Sequence, residues 1–263
     1  MRKNISAQAA ALLVMLTGPA IAADLPLKAE PVIPRFSWTG CYLGAHVGGG
    51  RGSKEMTDPV QLVQDTLSGA PVTTGITTVT TNPTGAVIGG EIGCDYQFAG
   101  NAVIGIEGTA SGTTMRGSAF VGLPAAGLPA ESALVQSTND FLASVTGRIG
   151  YAFDTILLYG RGGFAVAGDK YDVSAGDFAG SGPFHFQGAD NRYGWVVGGG
   201  VDWAFTPHWS MNVEYDYYRF GSGGILMTDQ FGGPPPLTGV VDVKQTVQVI
   251  KVGFNFHING SGW

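Results

Sequence analysis

The chain has 263 residues, 43 of them glycine, and only 13% are charged, which suits many close-packed strands and argues against long helices or disorder. Twenty acidic side chains outnumber 14 basic ones, and two of the basic ones, Arg2 and Lys3, stand at the very start. That balance argues against nucleic acid as a partner, because nucleic acid attracts basic surfaces.

Residues 1–22 read as a secretory signal peptide. Arg2 and Lys3 precede an apolar stretch from Ala9 to Leu16, and Gly18-Pro19 leads to the small-residue pattern Ala20-Ile21-Ala22. The apolar stretch is shorter than the roughly 20 residues of a spanning helix, and no later segment reaches that length. Residues 23–36 are proline-rich without alternation and read as a periplasmic leader.

From residue 37 onward the chain alternates apolar with polar or small residues at a period of two, as strands do. The first strand, Ser37 to Gly50, sets Cys41, Leu43, Ala45 and Val47 against Tyr42, Gly44, His46 and Gly48. After a polar stretch, Arg51 to Thr84, the second runs from Gly85 to Phe98 with Ile88, Ile92, Cys94 and Tyr96 opposed to Glu91, Gly93 and Asp95. A tight turn at Ala99–Asn101 leads to the third, Ala102 to about Arg116, with Glu107 on its polar row. Gly117 to Asp140 reads as a long loop.

The fourth strand, Phe141 to Phe153, turns at Asp154-Thr155 into the fifth, Ile156 to Ala167, and their polar rows carry Thr146, Arg148, Tyr159 and Arg161. Gly168 to Asn191 reads as another long loop. The sixth strand, Arg192 to Phe205, opposes Trp195, Val197 and Trp203 to Gly198, Gly200 and Asp202, and a short turn at Thr206–His208 follows. The seventh, Trp209 to Phe220, sets Met211, Val213 and Tyr215 against Asn212, Glu214 and Asp216. After a Gly/Pro-rich loop, Gly221 to Val241, the last strand runs from about Lys244 to Ile258, with Ile250, Val252, Phe254 and Phe256 opposed to Lys251, Gly253, Asn255 and His257.

Connections thus alternate long and short, so all short turns fall at one end of an antiparallel array. A bilayer accepts spanning strands only when every amide is paired, which requires closure. The expected fold is all-β: an eight-stranded antiparallel up-and-down transmembrane β-barrel with short periplasmic turns and long extracellular loops, over residues 37–258. Residues 259–263 form a C-terminal extension. Trp38, Tyr96, Phe98, Tyr151, Phe153, Trp203, Phe205, Trp209, Phe254 and Phe256 gather near the short-turn end, where an interfacial aromatic belt belongs.

The leader Ala22-Ala23-Asp24-Leu25-Pro26, the strand SWTGCYLGAHVGGG, and the segments GGEIGCDYQF, TGRIGYAFD and VIKVGFNF together resemble the porin-family surface proteins of alphaproteobacteria, small barrels similar in architecture to the barrel of OmpA. The resemblance covers nearly the whole mature chain outside the loops. It implies an abundant, often antigenic surface protein of the outer membrane with a role in envelope integrity, and no catalytic motif. Implied partners are outer-membrane lipid, lipopolysaccharide and the barrel-assembly machinery. Family members place aromatic residues where this chain has Cys41 and Cys94. They also end on Phe, whereas Ile258 holds that position here and Asn259 to Trp263 follow.

Glu91, Asp95, Glu107, Arg148, Arg161, Asp202, Glu214, Asp216 and Lys251 all fall on polar rows, which assigns them to the lumen. Eight strands enclose just enough room for side chains, so a mutually paired plug is expected over a narrow ion path. Cys41 and Cys94 lie near one end of consecutive strands, as a cross-strand disulfide or as two small hydrophobes facing lipid. His185, between Phe184 and Phe186 in an expected extracellular loop, is the candidate haem ligand. No other cofactor or metal is expected, and no enzyme. Ser144 and His46 share the lumen side but sit on strands well separated in the predicted order. The leading function is a structural envelope barrel, and the alternatives are a small-solute or ion pore and a loop-based haem or adhesion receptor.

Overall fold

The computed structural model describes residues 36–57, 78–123, 131–176, 183–230 and 238–258. The segments expected as a signal peptide, nearly all of the expected leader and the expected extension 259–263 lie outside them.

Nine strands form one antiparallel sheet: β1 (Gly40–Thr57), β2 (Thr78–Thr81), β3 (Thr84–Gln97), β4 (Ala102–Leu123), β5 (Glu131–Phe153), β6 (Ile156–Ala175), β7 (Phe184–Ala204), β8 (Trp209–Asp229) and β9 (Thr238–His257). Each strand from β3 onward pairs with the next, and β1 pairs with both β3 and β9, so eight strands close into a ring. The short β2 adds to β1 at Lys54–Thr57, above the start of β3. Closure removes the free edges that an open sheet exposes.

The turns between β3 and β4 and between β5 and β6 are tight. Asn101 and Asp154 adopt positive φ of 64° and 58° there, a conformation that Asn and Asp tolerate better than most residues. With the β7–β8 turn they define one end of the barrel, and the strand ends at Thr57, Leu123, Glu131, Ala175, Phe184, Asp229 and Thr238 define the other.

The strands are far longer than the alternation suggested. β4, β5, β7 and β8 have 22, 23, 21 and 21 residues, about twice the 9–11 that cross a bilayer. The added length lies entirely at the long-connection end, within segments expected as loops. There the period of two continues with its faces exchanged. On β9, Ile250, Val252, Phe254 and Phe256 point outward and Lys251, Asn255 and His257 inward; past Val249 the outward residues are Gln248, Thr246, Lys244 and Asp242, and the inward ones Val247, Gln245, Val243 and Val241. β6 changes in the same way, from outward Leu158, Phe164 and Val166 to outward Lys170 and Asp172 over buried Tyr171 and Val173. A search for apolar-outward strands ends where the surroundings change from lipid to water, although the strand itself does not.

The exchange occurs at one level around the ring. Arg51 pairs with Thr84 and Gln248, and Thr84 pairs with Arg116. These four exposed polar residues form a collar above the apolar belt. Register shifts at Gly112/Met115, Asn139/Phe141, Gln187/Gly194 and Phe220/Gly223 fall near this level, where bulges adjust strand twist.

Candidate functional site

The lumen is filled in layers. At the short-turn mouth Phe36 and Trp38 fold under the barrel and pack with Val103, Ala152, Leu157, Tyr159 and Ala204. The Trp38 indole N–H donates to the Asp154 carbonyl at 3.2 Å, and its backbone N–H donates to Gln97 Oε1 at 2.8 Å. Trp38 was expected in the outer belt, but it is 1% exposed and closes the mouth. It precedes the first strand, so strand parity does not govern where its side chain goes. The other nine belt aromatics do face outward and are exposed.

Above the plug lies an ionic layer that joins all nine predicted lumen residues. Arg148 contacts Glu107 at 2.9 Å, Asp95 at 3.7 Å and Asp202 at 3.9 Å. Arg161 bridges Glu107, Glu214 at 2.7 Å and Asp216 at 3.3 Å. Lys251 meets Glu214 at 2.7 Å, Asp216 at 3.5 Å and Glu91 at 3.9 Å. Tyr42 and Tyr159 donate their hydroxyls to Glu107 at 2.6 Å and Glu214 at 2.7 Å. The Arg148 guanidinium lies 4.0 Å from the centre of the Tyr159 ring. Glycine on the facing rows makes room: a Cβ at Gly200 would sit 2.8 Å from the Tyr159 hydroxyl, and one at Gly93 would collide with that of Tyr42.

An apolar layer of Val87, Met115, Leu142, Val196, Tyr218, Phe220 and Val247 covers this network. A second ionic layer follows that the sequence reading did not identify. There the Lys54 ammonium contacts Asp169 at 2.8 Å, Asn139 donates to the same carboxylate at 2.8 Å, and Arg192 donates to the carbonyls of Gly221 and Val243. Burial lowers the Lys54 pKa from its usual value against the opposing pull of Asp169. Lys54 and Asp169 fall in segments expected as loops, where strand parity assigns no face. Topmost is an apolar core of Met56, Val135, Tyr171, Phe186, Ile225, Met227 and Val243.

His46 and Ser144 do not meet. Ser144 pairs with Thr109 at 2.7 Å and Arg161 at 3.3 Å, whereas the His46 ring lies between Glu91 at 3.1 Å and Ser111 at 2.7 Å. All of these groups are stacked within the filled lumen. His257 bonds to Ser210 at 3.0 Å and packs against Trp38.

His185 sits on β7 rather than in a loop, and its ring is bonded to Asp172 of β6. Strand alternation buries Phe186 in the upper core, which removes one of its expected aromatic flanks from the surface. Cys41 and Cys94 stand directly opposite each other on β1 and β3 and are joined by a disulfide.

Residues 9–256 match the family described as outer membrane protein beta-barrel domain. Among curated relatives, the 31 kDa outer-membrane immunogenic proteins of Brucella melitensis and Brucella suis are each 27% identical over 94% of this chain and 97% of theirs. Solved structures that align include OprG of Pseudomonas aeruginosa, with 16% identity, 84% of this chain, 98% of that one and a TM-score of 0.41. Ail of Yersinia pestis aligns with 15% identity, 83% and 99% coverage and a TM-score of 0.35. With a closed ring of eight strands, an apolar belt and a family match over nearly its whole length, this chain belongs to the outer-membrane β-barrel protein family and resides in the outer membrane.

Proposed function

We propose that this protein is a sealed structural barrel that reinforces the outer membrane and raises a rigid platform above it for surface display. The observation that carries this reading is the alternation of three apolar clusters with two ionic layers along one lumen. An open path for ions would need continuous hydrated space, yet Trp38, Met115 and Val135, one from each apolar cluster, are 0–1% exposed. The extracellular half of the barrel has a mainly polar exterior over a largely apolar core, as a water-soluble barrel does, which supports its standing clear of the lipid. The Brucella relatives are named as outer-membrane immunogenic proteins, and a rigid exposed platform fits the same surface role here.

The test is conductance of the purified protein in planar bilayers, paired with detergent and bile-salt sensitivity of a deletion strain. Brief, rare openings and a leaky deletion strain are the expected results. Large, steady currents would replace this reading with that of a pore, and a deletion strain as resistant as its parent would remove the envelope role.

A further inference from the structure

The Cys41–Cys94 disulfide sits where the barrel closes. Cys41 lies on β1, the strand that pairs with both β3 and β9, and its carbonyl accepts the N–H of Ile258 at 2.9 Å, at the base of the closing seam. The hairpin it joins is also the hardest of its kind to form. Fifty-three positions separate the two cysteines, whereas Phe98 to Asn101 suffices to link β3 to β4, and closure entropy grows with the length of the loop. Side-chain parity makes the cross-link selective: a slip of β3 by one residue would carry Cys94 to the lumen side, out of reach of Cys41. Finally, both cysteines lie on outward rows beside Leu43, Ile92 and Tyr96, all exposed to the surrounding membrane. Thiol oxidation by exchange proceeds through a thiolate, which an apolar setting disfavours, and the donor must reach the sulfur.

We infer that the Cys41–Cys94 bond is made in the periplasm before the barrel closes, by a dithiol oxidoreductase in its disulfide form, and that it pins β1 to β3 in register for the seam with β9. One cysteine thiolate attacks the donor disulfide to give a mixed disulfide. The second thiolate then displaces the donor's sulfur, so the chain loses two electrons and two protons, and the donor takes up both, the protons passing through water, and leaves as a dithiol.

The test is a pulse-chase of the full chain in a Gram-negative host. Samples are quenched in acid, alkylated with a large maleimide, and run unheated and heated on non-reducing gels so that folded and unfolded pools separate. The unfolded pool is expected to be oxidised from the earliest times. A Cys41→Ser/Cys94→Ser double variant should reach the same folded form at least about twofold more slowly. Two alkylatable thiols in the folded barrel, oxidation that trails folding, or a double variant that folds at the parent's rate would each overturn the inference. If the double variant does not fold at all, the order of oxidation and folding in the parent still decides.

Discussion

Below the collar of Arg51, Thr84, Arg116 and Gln248 the strands turn apolar side chains outward and ionic ones inward; above it the same strands turn mainly polar side chains outward, Phe120, Leu226 and Val240 excepted, and mainly apolar ones inward. Along the seam of β1 and β9 backbone pairing is continuous across the boundary, from Tyr42 through Thr57. What changes is the medium. In lipid the outward face must be apolar, and the interior of an eight-stranded barrel then collects the polar groups. In water the hydrophobic effect operates again, and the interior becomes an ordinary core. One continuous sheet therefore combines a membrane protein with a soluble one.

The comparison is broken most strongly by attacking its ionic layers. Arg161→Leu removes the cation shared by Glu107, Glu214 and Asp216 and leaves only Arg148 and Lys251 to balance the six lumen carboxylates. Leaving buried charge uncompensated is expected to cost about 5 kcal/mol, read as a lower denaturant midpoint for loss of the heat-resistant gel form. In the upper half, Lys54→Met leaves Asp169 without its buried cation and should cost about 3 kcal/mol, whereas Lys54→Met combined with Asp169→Leu should restore stability to within about 1 kcal/mol of the parent, because a soluble-type core accepts an apolar replacement. A double variant as unstable as the single one would show that the upper layer is not a core in this sense.

The same lysine gives a pH signature. Its pKa is lower in the folded barrel than in the unfolded chain, so the unfolded chain holds more protons between the two values. Stability of the parent relative to the double variant should therefore rise with pH through the alkaline range and fall back as pH is lowered toward the folded value.

The boundary itself can be located by a matched pair on one row of β9. Val252→Arg puts charge in the apolar belt and should cost about 2 kcal/mol in refolding titrations. Gln248→Arg, four residues along the same outward face but within the collar, should shift stability by less than about 0.5 kcal/mol. Equal penalties would move the boundary or abolish it.

Much of this was legible in the sequence because barrel physics is local. Two-residue periodicity assigns each side chain to a face without knowledge of its partner, and Glu91, Glu107, Arg148, Arg161, Glu214 and Lys251, all on polar rows, are buried in the structure. Asn101 and Asp154 marked tight turns by their own conformational preferences. The exchanged pattern is equally present in residues 241–248, but the same alternation describes an apolar row that faces lipid and one that faces a core. Only the environment distinguishes them, and period alone does not report it.

Alternation and the spacing of turns thus determined the eight strands of the ring, their antiparallel order and the sidedness of each residue within the membrane belt, since each depends on only a few neighbouring residues, but not the short β2 inside the first long connection. Three things were decided by the tertiary structure. Trp38 turns back into the mouth, Lys54 finds Asp169 across 115 positions of chain, and Cys41 meets Cys94. Each needs two distant segments at one level of a closed ring, and that level is set by the register of every strand between them.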